Sequence, residues 1–496
     1  MIDSLIKDLQ NGVDVRSNLI KLRDHMKEDD GKAFSLLNDE AKALIASFLE
    51  DEDSKCRRAA GAILSYSHDY RYARLIFDRY LKENVLMIKA DYLESIKKLP
   101  YELLLPDIYD RIEAVLKESH KEDEHVHVIK EIRMLYTLVF EKEGMHPHEF
   151  KGLKDTHEVM LTVKSGLERE LAKSVHGMPK RCVHAGIMVK THDYDGLFKM
   201  RFFENALIYI GEAKSDNASD AGAILCDDIK SLIGEIYKGK GPFFFRSSVD
   251  GAISLDDGKD YIKKFSNLLQ NASKNELINL PSDYEIEFLI RFDKEGSVKL
   301  YLRPSSYNDK RFDYRVGYVS QSIKPYMAAT IVELAKPYLK KDARILDPFC
   351  GVGTMLLERR LQVSTDAAYG VDYFADAIKA AKDNSAMIGP DIHYVQRDFK
   401  DFTHEYRFDE IITDMPVKSQ NTGIEEIRDI YDNLFIKADE LLNENGVMII
   451  YGAESNLIKK NLRLHKKTFR LERDFIFNER QDRHLFIIIK NYGVAK

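Results

Sequence analysis

The chain has 496 residues, of which 44% are hydrophobic and 32% are charged, and its formal net charge is −7. This composition is typical of a globular protein of roughly two to four domains, and no run approaches the roughly 18 apolar residues that a membrane-spanning helix needs. The acidic balance excludes a protein that coats nucleic acid non-specifically, because lysine and arginine supply that affinity. Any contact with RNA must therefore use local basic patches.

The first residues and the cysteines indicate the compartment. MIDSLIKDLQ carries acids early and lacks the apolar core and small-residue cleavage site of a signal peptide, so we expect a cytoplasmic protein without a membrane anchor. The four cysteines lie far apart, at Cys56, Cys182, Cys226 and Cys350. Without CxxC spacing they indicate neither a zinc site nor a disulfide framework, so we expect free thiols and no metal.

Residues 1–150 are predicted to be helical throughout, because glycine and proline are sparse and apolar residues recur every three or four positions. In AKALIASFLEDEDSKCRRAAGAILSYS, one amphipathic helix ends in an acidic turn and a second begins near Arg57, and RLIFDRYLKENVLMIKADYLESIKKL is a looser copy. This region resembles HEAT repeats, whose stacked helix pairs form an extended surface for a protein partner. An ordinary helical bundle is the alternative.

From residue 155 to 310, short strands and helices alternate and end in an apparent hairpin of YEIEFLIRFD and SVKLYLRP. This pattern predicts a small α+β domain. The order of GLERELAK, a strand and then a helix ending in Arg201-Phe202-Phe203 resembles the RNA-binding THUMP module with its preceding ferredoxin-like segment. A generic ferredoxin-like domain is the alternative.

Two basic stretches in or next to this domain are candidates for RNA contact. Lys238, Lys240 and Arg246 flank three consecutive phenylalanines, a mixture that suits phosphate contact and base stacking. The alternative is that the phenylalanines belong to the core. Arg315 lies in the second stretch, KRFDYR, which joins this domain to the next.

Residues 318–496 have the pattern of a doubly wound α/β sheet. A helix is predicted to begin at Pro325, and a fifth strand at 446–451 precedes a terminal pair of strands, which makes a seven-stranded Rossmann-like domain. The acids at or just after the ends of the first four strands are Asp347, Asp372, Asp398 and Asp414. Four acids in such a series favour a ligand site over chance.

The first of these strands runs into DPFCGVGT, residues 347–354. Glycines at this turn let the backbone approach an adenosine-like ligand, and Asp347 adds a carboxylate. Asp372 follows at the distance expected for an acid that accepts hydrogen bonds from ribose hydroxyls. Asp398 could accept from the adenine amine, with Phe399 packed on the ring. A dehydrogenase is disfavoured, because GVGT lacks the third glycine of a GxGxxG fingerprint.

DPFCGVGT together with DMPV, residues 414–417, resembles the class I S-adenosylmethionine methyltransferases that modify exocyclic amines of nucleic acids. With the THUMP-like region, the chain is similar to THUMP-domain RNA methyltransferases, which make N2-methylguanosine in tRNA or rRNA. The resemblance is specific over residues 318–496, and the helical residues 1–150 are not part of the family's usual plan. It implies S-adenosylmethionine as the cofactor. The implied cofactor-binding residues are Asp347, Pro348, Phe349, Cys350, Gly351, Gly353, Thr354, Asp372, Tyr373, Asp398 and Phe399, with Lys324 and Pro325 in a closing turn.

The DMPV motif suits methyl transfer to an amine, which needs the nitrogen lone pair aligned with the methyl group. Asp414 and the carbonyl of Met415 would accept the two amine hydrogens, and Pro416 would rigidify the turn and has no N–H to compete. The family usually places an aromatic residue next, where stacking on a base is worth about 1–3 kcal/mol. Val417 can pack against a base but cannot stack on it.

Val417 leaves three interpretations open. Stacking comes from another ring, such as Phe349, Tyr373 or Tyr431; or the target differs from guanine; or the protein binds cofactor or RNA without methylating it. The presence of Asp414, Pro416 and every cofactor position favours an active enzyme. A non-catalytic RNA-binding scaffold and a DNA adenine-N6 methyltransferase are the alternatives, and the THUMP-like region argues against DNA.

Basic residues after the motif are further candidates for RNA contact. Lys418 could meet a phosphate, and a run without acids contains Lys459, Lys460, Arg463, Lys466, Lys467 and Arg470. A solvated helix face is the common explanation of such a run. Because the protein is acidic overall, we favour a local patch that faces RNA, and tRNA is the expected partner.

Overall fold

The computed structural model describes residues 2–118, 120–121, 124–389, 392–418 and 423–491. The α-helices are α1 (Ile2–Gln10), α2 (Val15–Glu28), α3 (Lys32–Ser35), α4 (Asp39–Ser47), α5 (Ser54–Leu64), α6 (Tyr70–Lys82), α7 (Leu86–Lys97), α8 (Leu105–Lys117), α9 (His125–Glu143), α10 (Glu168–Leu171), α11 (Tyr194–Leu197), α12 (Ala221–Ile224), α13 (Cys226–Ile236), α14 (Leu255–Ala272), α15 (Pro325–Ala335), α16 (Thr354–Gln362), α17 (Ala375–Ala386), α18 (Ile424–Leu441) and α19 (Ser455–Leu464). The strands are β1 (His157–Thr162), β2 (Lys180–Val183), β3 (Gly186–Thr191), β4 (Ala206–Ala213), β5 (Phe243–Gly251), β6 (Leu277–Asn279), β7 (Ile286–Phe292), β8 (Val298–Pro304), β9 (Ala343–Asp347), β10 (Thr365–Asp372), β11 (Ile392–Gln396), β12 (Phe408–Asp414), β13 (Leu442–Gly452), β14 (Phe469–Asn478) and β15 (Arg483–Lys490).

The chain forms two compact units, and each unit contains two separate stretches of sequence. The first unit contains residues 1–151 and 210–306, and the second contains residues 152–209 and 307–496. The limits of these stretches at residues 151 and 306 lie close to the predicted boundaries at 150 and 310, but the predicted segment 155–310 is itself divided within β4. The three predicted segments therefore differ from the compact units, although residues 318–496 all lie in the second.

In the first unit, the predicted helical region shares its core with later strands. Helices α1 to α9 bury one continuous apolar cluster, which also contains Phe244, Ile278 and Leu280. The ring of Phe244 lies 4.9 Å from that of Tyr136 and 4.8 Å from that of Phe140, both on α9. Amphipathic helices need an apolar surface to cover their buried faces. Here β5 and β6 supply part of it, so residues 1–150 do not form a unit alone.

Four strands of the first unit lie in the order β8-β7-β5-β6. Strands β7 and β8 pair antiparallel, as the predicted hairpin requires, and β5 runs parallel to both β6 and β7. The three phenylalanines of β5, Phe243, Phe244 and Phe245, are 6%, 6% and 0% exposed. They belong to the core, which is the alternative that the sequence offered for this stretch, and burial of adjacent rings on both faces of the strand leaves no ring accessible for base stacking.

The second unit begins with strands β1 to β3 and the start of β4, in the order β2-β3-β1-β4 and antiparallel throughout. This part of the chain packs on the later part of the same unit through α16. The carboxylate of Glu358, which is 0% exposed, accepts hydrogen bonds from the guanidinium of Arg201 at 2.7 and 2.8 Å and from the hydroxyl of Tyr314 at 2.7 Å.

The remainder of the second unit is a seven-stranded mixed sheet in the order β11-β10-β9-β12-β13-β15-β14. Strands β9 to β13 are parallel, and β15 is antiparallel to both β13 and β14. Strands buried on both faces are expected to be continuously apolar, as the 0% exposure of Ile345, Leu346, Ile411 and Ile412 shows. The carboxyl ends of the parallel strands meet at one edge, where such sheets bind ligands.

A buried ion pair joins α16 to β12 within this sheet. The guanidinium of Arg359 donates to both carboxylate oxygens of Glu410 at 2.7 and 2.9 Å, and both side chains are 0% exposed. Glu410 also accepts from the backbone N–H of Lys340 at 2.8 Å. The helix that follows the glycine turn is therefore fixed to the strand that ends in Asp414.

Two features are absent from the described residues, a membrane-spanning helix and a metal-binding cluster. None of their helices is long and apolar enough to cross a membrane. They also contain no group of three or more histidine, cysteine, aspartate or glutamate side chains with the arrangement of a metal site.

Candidate active site

Three of the predicted acids meet at the carboxyl edge of the sheet. Asp347 ends β9, Asp372 ends β10 and Asp414 ends β12. The register pairs Asp347 with Gly370 on β10 and Leu346 with Ile411 on β12, so the three strand ends lie side by side. The structure thus brings together carboxylates that are far apart in the sequence.

The glycine turn between β9 and α16 has the backbone conformation that glycine favours. Gly351 has φ +51° and Gly353 has φ +81°, in the left-handed region. A Cβ atom at Gly353 would lie 2.3 Å from the hydroxyl oxygen of Tyr394, whereas one at Gly351 would meet nothing within 4 Å. Gly351 therefore faces open space that a ligand can use. Tyr394, on β11, supports the turn from behind, a role that the sequence analysis missed.

Asp347 and Thr354 carry buried polar atoms that lack hydrogen bonds. Asp347 is 1% exposed; its Oδ1 accepts from the backbone N–H of Phe349 at 3.1 Å, and its Oδ2 has no partner within 3.5 Å, although the Thr413 hydroxyl lies near enough to lower the pKa of the carboxyl. Burial raises the pKa of the Asp347 carboxyl to about 8. The Thr354 hydroxyl, on a residue 2% exposed, is also without a partner. Together with the open space at Gly351, these unmatched groups fit the polar methionine end of S-adenosylmethionine.

The backbone of the glycine turn is tied to Asp372, the second acid of the series. Its Oδ2 accepts from the backbone N–H of Gly351 at 2.8 Å and its Oδ1 from that of Phe374 at 2.9 Å. Each oxygen keeps a second lone pair for a ribose hydroxyl. The neighbouring Tyr373 is 69% exposed, so its ring is not packed in the turn.

Pro348 and Cys350 lie within the turn with little exposure. Pro348 is buried, and Cys350 is 6% exposed. The Sγ of Cys350 would lie 2.8 Å from a Cβ at Gly370, so the thiol packs against β10, and burial raises its pKa. The Cys350 side chain is therefore packed within the protein, and cofactor contact by its backbone stays a prediction.

Asp398 and Phe399, predicted to hold adenine, follow β11 in a tight turn. Asp398 accepts from the backbone N–H of Lys400 at 3.0 Å and pairs with its ammonium at 3.0 Å. Phe399 is 4% exposed, and its ring lies 5.6 Å from that of the half-buried Phe349. Of these two rings, Phe349 is the more accessible to a ligand.

Lys324 and Pro325, the predicted closing turn, stand at the start of α15. Lys324 is the residue before the helix and Pro325 is its first residue. The Lys324 ammonium lies 3.3 Å from a carboxylate oxygen of Glu204, and its side chain is 65% exposed. Their contact with a cofactor stays a prediction.

Asp414 ends β12 at the carboxyl edge of the sheet, opposite Tyr451 of β13. Its side chain is 24% exposed, and its Oδ1 is buried without a hydrogen bond. Burial raises the pKa of the Asp414 carboxyl to about 6, although Arg483 lowers it. The next residue, Met415, donates its backbone N–H to the Tyr451 carbonyl at 2.8 Å, which fixes the turn.

Pro416 and Val417 are half-buried, and the rings proposed to replace an aromatic residue at position 417 differ in access. Tyr431 is 0% exposed and lies in the core, so the suggestion that it stacks on a base is wrong. Phe349 and Tyr373 keep accessible surface.

Arg483 is a site residue that the sequence analysis missed. It begins β15, and its Nη1 lies 3.6 Å from Oδ1 of Asp414. Its guanidinium carbon lies 5.4 Å from the centre of the Tyr451 ring. No local signal could have found it, because its partners lie on other strands.

The predicted basic patch after position 458 is divided by acidic partners. Lys459 lies 3.7 Å from Asp474, and Lys460 lies 3.0 Å from Asp432. Arg463, Lys466 and Lys467 are exposed. Because β13 ends at the carboxyl edge and α19 runs back from it, these three lie toward the opposite edge of the sheet. The predicted RNA contact of these three residues is therefore remote from Asp347, Asp372 and Asp414.

Two of the other five predicted RNA contacts, Lys238 and Arg246, are paired within the protein. Lys238 lies 3.1 Å from Glu149, and Arg246 lies 2.8 Å from Glu287, with its guanidinium 4.2 Å from the Tyr284 ring. Lys240 and Lys418 are exposed, Arg315 is half-buried, and the loop residues 419–422 lie outside the described residues. RNA contact by these side chains stays a prediction.

Comparison with known proteins agrees with this geometry. Residues 313–478 match the family model described as UPF0020: RMKL-like, methyltransferase domain. Over 144 residues, the chain is 28% identical to the tRNA (guanine(10)-N2)-dimethyltransferase of Methanothermobacter thermautotrophicus, which covers 29% of this chain and 42% of that protein. The chain therefore spans less than half the length of this curated relative.

Solved structures share the fold at low identity. TrmN from Thermus thermophilus is 16% identical with a TM-score of 0.52, and the match covers 68% of this chain and 100% of that one. A predicted N6-adenine-specific DNA methylase from Listeria monocytogenes is 17% identical with a TM-score of 0.50, covering 68% and 97%. A third structure, complexed with SAH, is 15% identical with a TM-score of 0.50, covering 69% and 100%.

The family match, the sheet order and the unmatched polar groups at the glycine turn agree with one another. Residues 313–478 form an S-adenosylmethionine-dependent methyltransferase domain.

Proposed function

We propose that this protein transfers a methyl group from S-adenosylmethionine to an exocyclic amine of an RNA base, with guanine N2 of tRNA as the target. One observation carries the proposal: Asp414 is a strand-end acid whose Oδ1 is buried without a hydrogen bond, beside the glycine turn. Such an oxygen needs a donor, and an amine supplies one.

The residue two positions after Asp414 explains why this oxygen is unmatched. The acids Asp347, Asp372 and Asp398 each accept from the backbone N–H two residues later, at 3.1, 2.9 and 3.0 Å. Asp414 cannot do so, because Pro416 has no N–H. Its carboxylate is therefore left for another donor.

The chemistry follows from this arrangement. The bound cofactor would supply the methyl group: its sulfur–methyl bond breaks, and the sulfur keeps the electron pair as S-adenosylhomocysteine. Asp414 and the Met415 carbonyl would accept the two hydrogens of the amine, which localises the nitrogen lone pair for attack. The nitrogen then gains a methyl group and loses a proton, and a carboxylate with a pKa of about 6 can accept that proton near neutral pH.

Guanine N2 of tRNA is proposed from the resemblance of the DPFCGVGT and DMPV motifs and from the partial match to a tRNA guanine-N2 dimethyltransferase. The THUMP-like character of residues 155–310, the HEAT-like character of residues 1–150 with its protein partner, and the cytoplasmic location belong to the same proposal. Exposed Lys240 and Lys418 are candidates for phosphate contact.

Replacement of Asp414 tests the proposal. We expect Asp414→Ala to bind S-adenosylmethionine like the wild type but to transfer labelled methyl to tRNA at least roughly 100-fold more slowly, because the amine is no longer positioned. Asp429→Ala, which removes an exposed acid of α18, is the matched control and should retain full activity. Equal labelling by Asp414→Ala and the wild type would contradict the proposed role.

The target base requires a separate measurement. Digestion of the labelled tRNA and separation of its nucleosides should place the label in N2-methylguanosine. Label in an adenosine derivative would contradict the guanine assignment. Cofactor binding by the wild type with no transfer to tRNA or rRNA would favour the non-catalytic scaffold.

A further inference from the structure

Asp414, Tyr451 and Arg483 form a row across three strands at the carboxyl edge. Asp414 ends β12, Tyr451 is its register partner on β13, and Arg483 begins β15, which pairs with β13. The Arg483 guanidinium lies 5.4 Å from the Tyr451 ring centre and 3.6 Å from Asp414 Oδ1. The cation thus reaches across the middle strand toward the acid.

The turn before Arg483 is fixed by its neighbours. Asp482 has φ +50°, and its carboxylate accepts from the backbone N–H of Ser455 at 2.9 Å and from its hydroxyl at 2.7 Å. Asn478, the register partner of Arg483, accepts from the backbone N–H of Gln481 at 3.2 Å. The backbone that carries Arg483 is therefore held in place.

Arg483 lies close to Asp414 without occupying its hydrogen-bonding capacity. The separation of 3.6 Å is longer than a hydrogen bond. Both side chains retain exposure, 25% for Arg483 and 24% for Asp414. The positive charge can therefore act on the carboxylate while the carboxylate keeps its hydrogen-bonding capacity.

Several groups on other elements face Asp414. Arg483 on β15 lowers the pKa of Asp414. Burial is the main cause of the raised pKa values of Asp347 on β9, Tyr431 on α18 and Tyr451 on β13, and the charge of Asp414 adds to each. Among these described groups, Arg483 is the cation. Burial opposes ionisation of Asp414, so Arg483 is the group that counters it.

We propose that Arg483 is a positioning residue that holds Asp414 as a charged carboxylate, oriented to accept the hydrogens of the substrate amine. This inference rests on the proposed amine methylation. A protonated Asp414 would accept fewer hydrogen bonds and could not take a proton, so loss of the cation should matter most at low pH.

Three variants measured from about pH 5.5 to 9 test the proposal. For Arg483→Gln, we expect the acid limb of the pH profile of kcat for tRNA methylation to move up by about one pH unit. At pH values below this limb, kcat should then fall roughly tenfold relative to the wild type, and it should recover at high pH. Arg483→Lys keeps a cation and should leave the limb near its wild-type position. Arg480→Gln removes an exposed arginine of the same turn and should behave like the wild type.

Two results would overturn the proposal: an unchanged acid limb in Arg483→Gln, or a loss of kcat that is equal at all pH values. A readout without RNA separates this failure from failure of the proposed function. In protein carrying ¹³C-labelled aspartate carboxyl groups, the Asp414 signal, assigned by its absence in Asp414→Asn, should titrate at higher pH in Arg483→Gln than in the wild type. An identical titration in folded variants overturns the role of Arg483, whatever the substrate.

Discussion

The proposed cofactor side of the site, with Asp347, Asp372 and Asp398, and the proposed base side, with Asp414, are built differently. On the cofactor side, Asp347, Asp372 and Asp398 each accept a backbone N–H from two residues later, so each acid stabilises its own turn. On the base side, residue 416 is a proline and has no N–H to donate. Asp414 lies instead beside Arg483, which is distant in the sequence and begins β15. An acid that accepts the N–H of its own turn is held rigidly, whereas an acid without such a donor can accept hydrogen bonds from a substrate.

The largest expected effect is a loss of stability on breaking the buried ion pair that joins the two sides. Arg359 of α16 and Glu410 of β12 form a fully buried pair that joins them. Arg359→Met should destabilise the protein by about 3–5 kcal/mol, because Glu410 is left as an uncompensated buried charge. Thermal or urea unfolding of the second unit would measure it.

The matched control is Arg344→Met, which breaks an ion pair with Asp366 whose side chains are 44% and 58% exposed. It should change stability by less than about 1 kcal/mol. Equal effects of the two variants would show that the buried pair does not hold the two sides together.

A smaller effect is expected on the cofactor side alone, at the two glycines of the turn. Both have positive φ, but only at Gly353 would a Cβ overlap Tyr394, at 2.3 Å. Gly353→Ala should therefore cost about 1–3 kcal/mol more than Gly351→Ala in stability, and its affinity for S-adenosylmethionine should fall with the displaced turn.

Calorimetric binding and unfolding of the two alanine variants would check this order. Gly351→Ala carries only the strain of its backbone conformation, because its Cβ would meet nothing within 4 Å. A more severe defect in Gly351→Ala than in Gly353→Ala would mean that open space at Gly351, filled by the ligand, matters more than the Tyr394 contact.

The smallest expected effect is a lower rate of methyl transfer when Asp414 is given the backbone donor that the acids of the cofactor side have. Pro416→Ala restores an N–H two residues after Asp414, which can then stabilise its own turn. We expect methyl transfer to fall about tenfold, a change of about 1.4 kcal/mol, while cofactor affinity stays unchanged. Initial rates with labelled cofactor would measure it, and full activity would show that the missing N–H is not what keeps Asp414 available.

The strands and acids of the second unit could be predicted because their signals are local. Apolar runs that end in an acid or a glycine turn placed β9, β10 and β12 correctly, and Asp347, Asp372 and Asp414 lie together as expected. The compact units could not be predicted in this way. They depend on which surfaces cover the apolar faces of the helices, and Phe244 covers α9 from another part of the chain.

The sequence by itself determined the turns that carry Asp347 and Asp372, because each acid and its hydrogen-bond donor are two residues apart and the glycines define their own turn. It also determined that Asp414 lacks a local donor, since Pro416 follows it. Only the tertiary structure decided that Arg483 faces Asp414, that Tyr431 is buried and that Lys459 and Lys460 are paired with acids. Those contacts join residues on different strands and helices, and their distances depend on how the sheet is ordered.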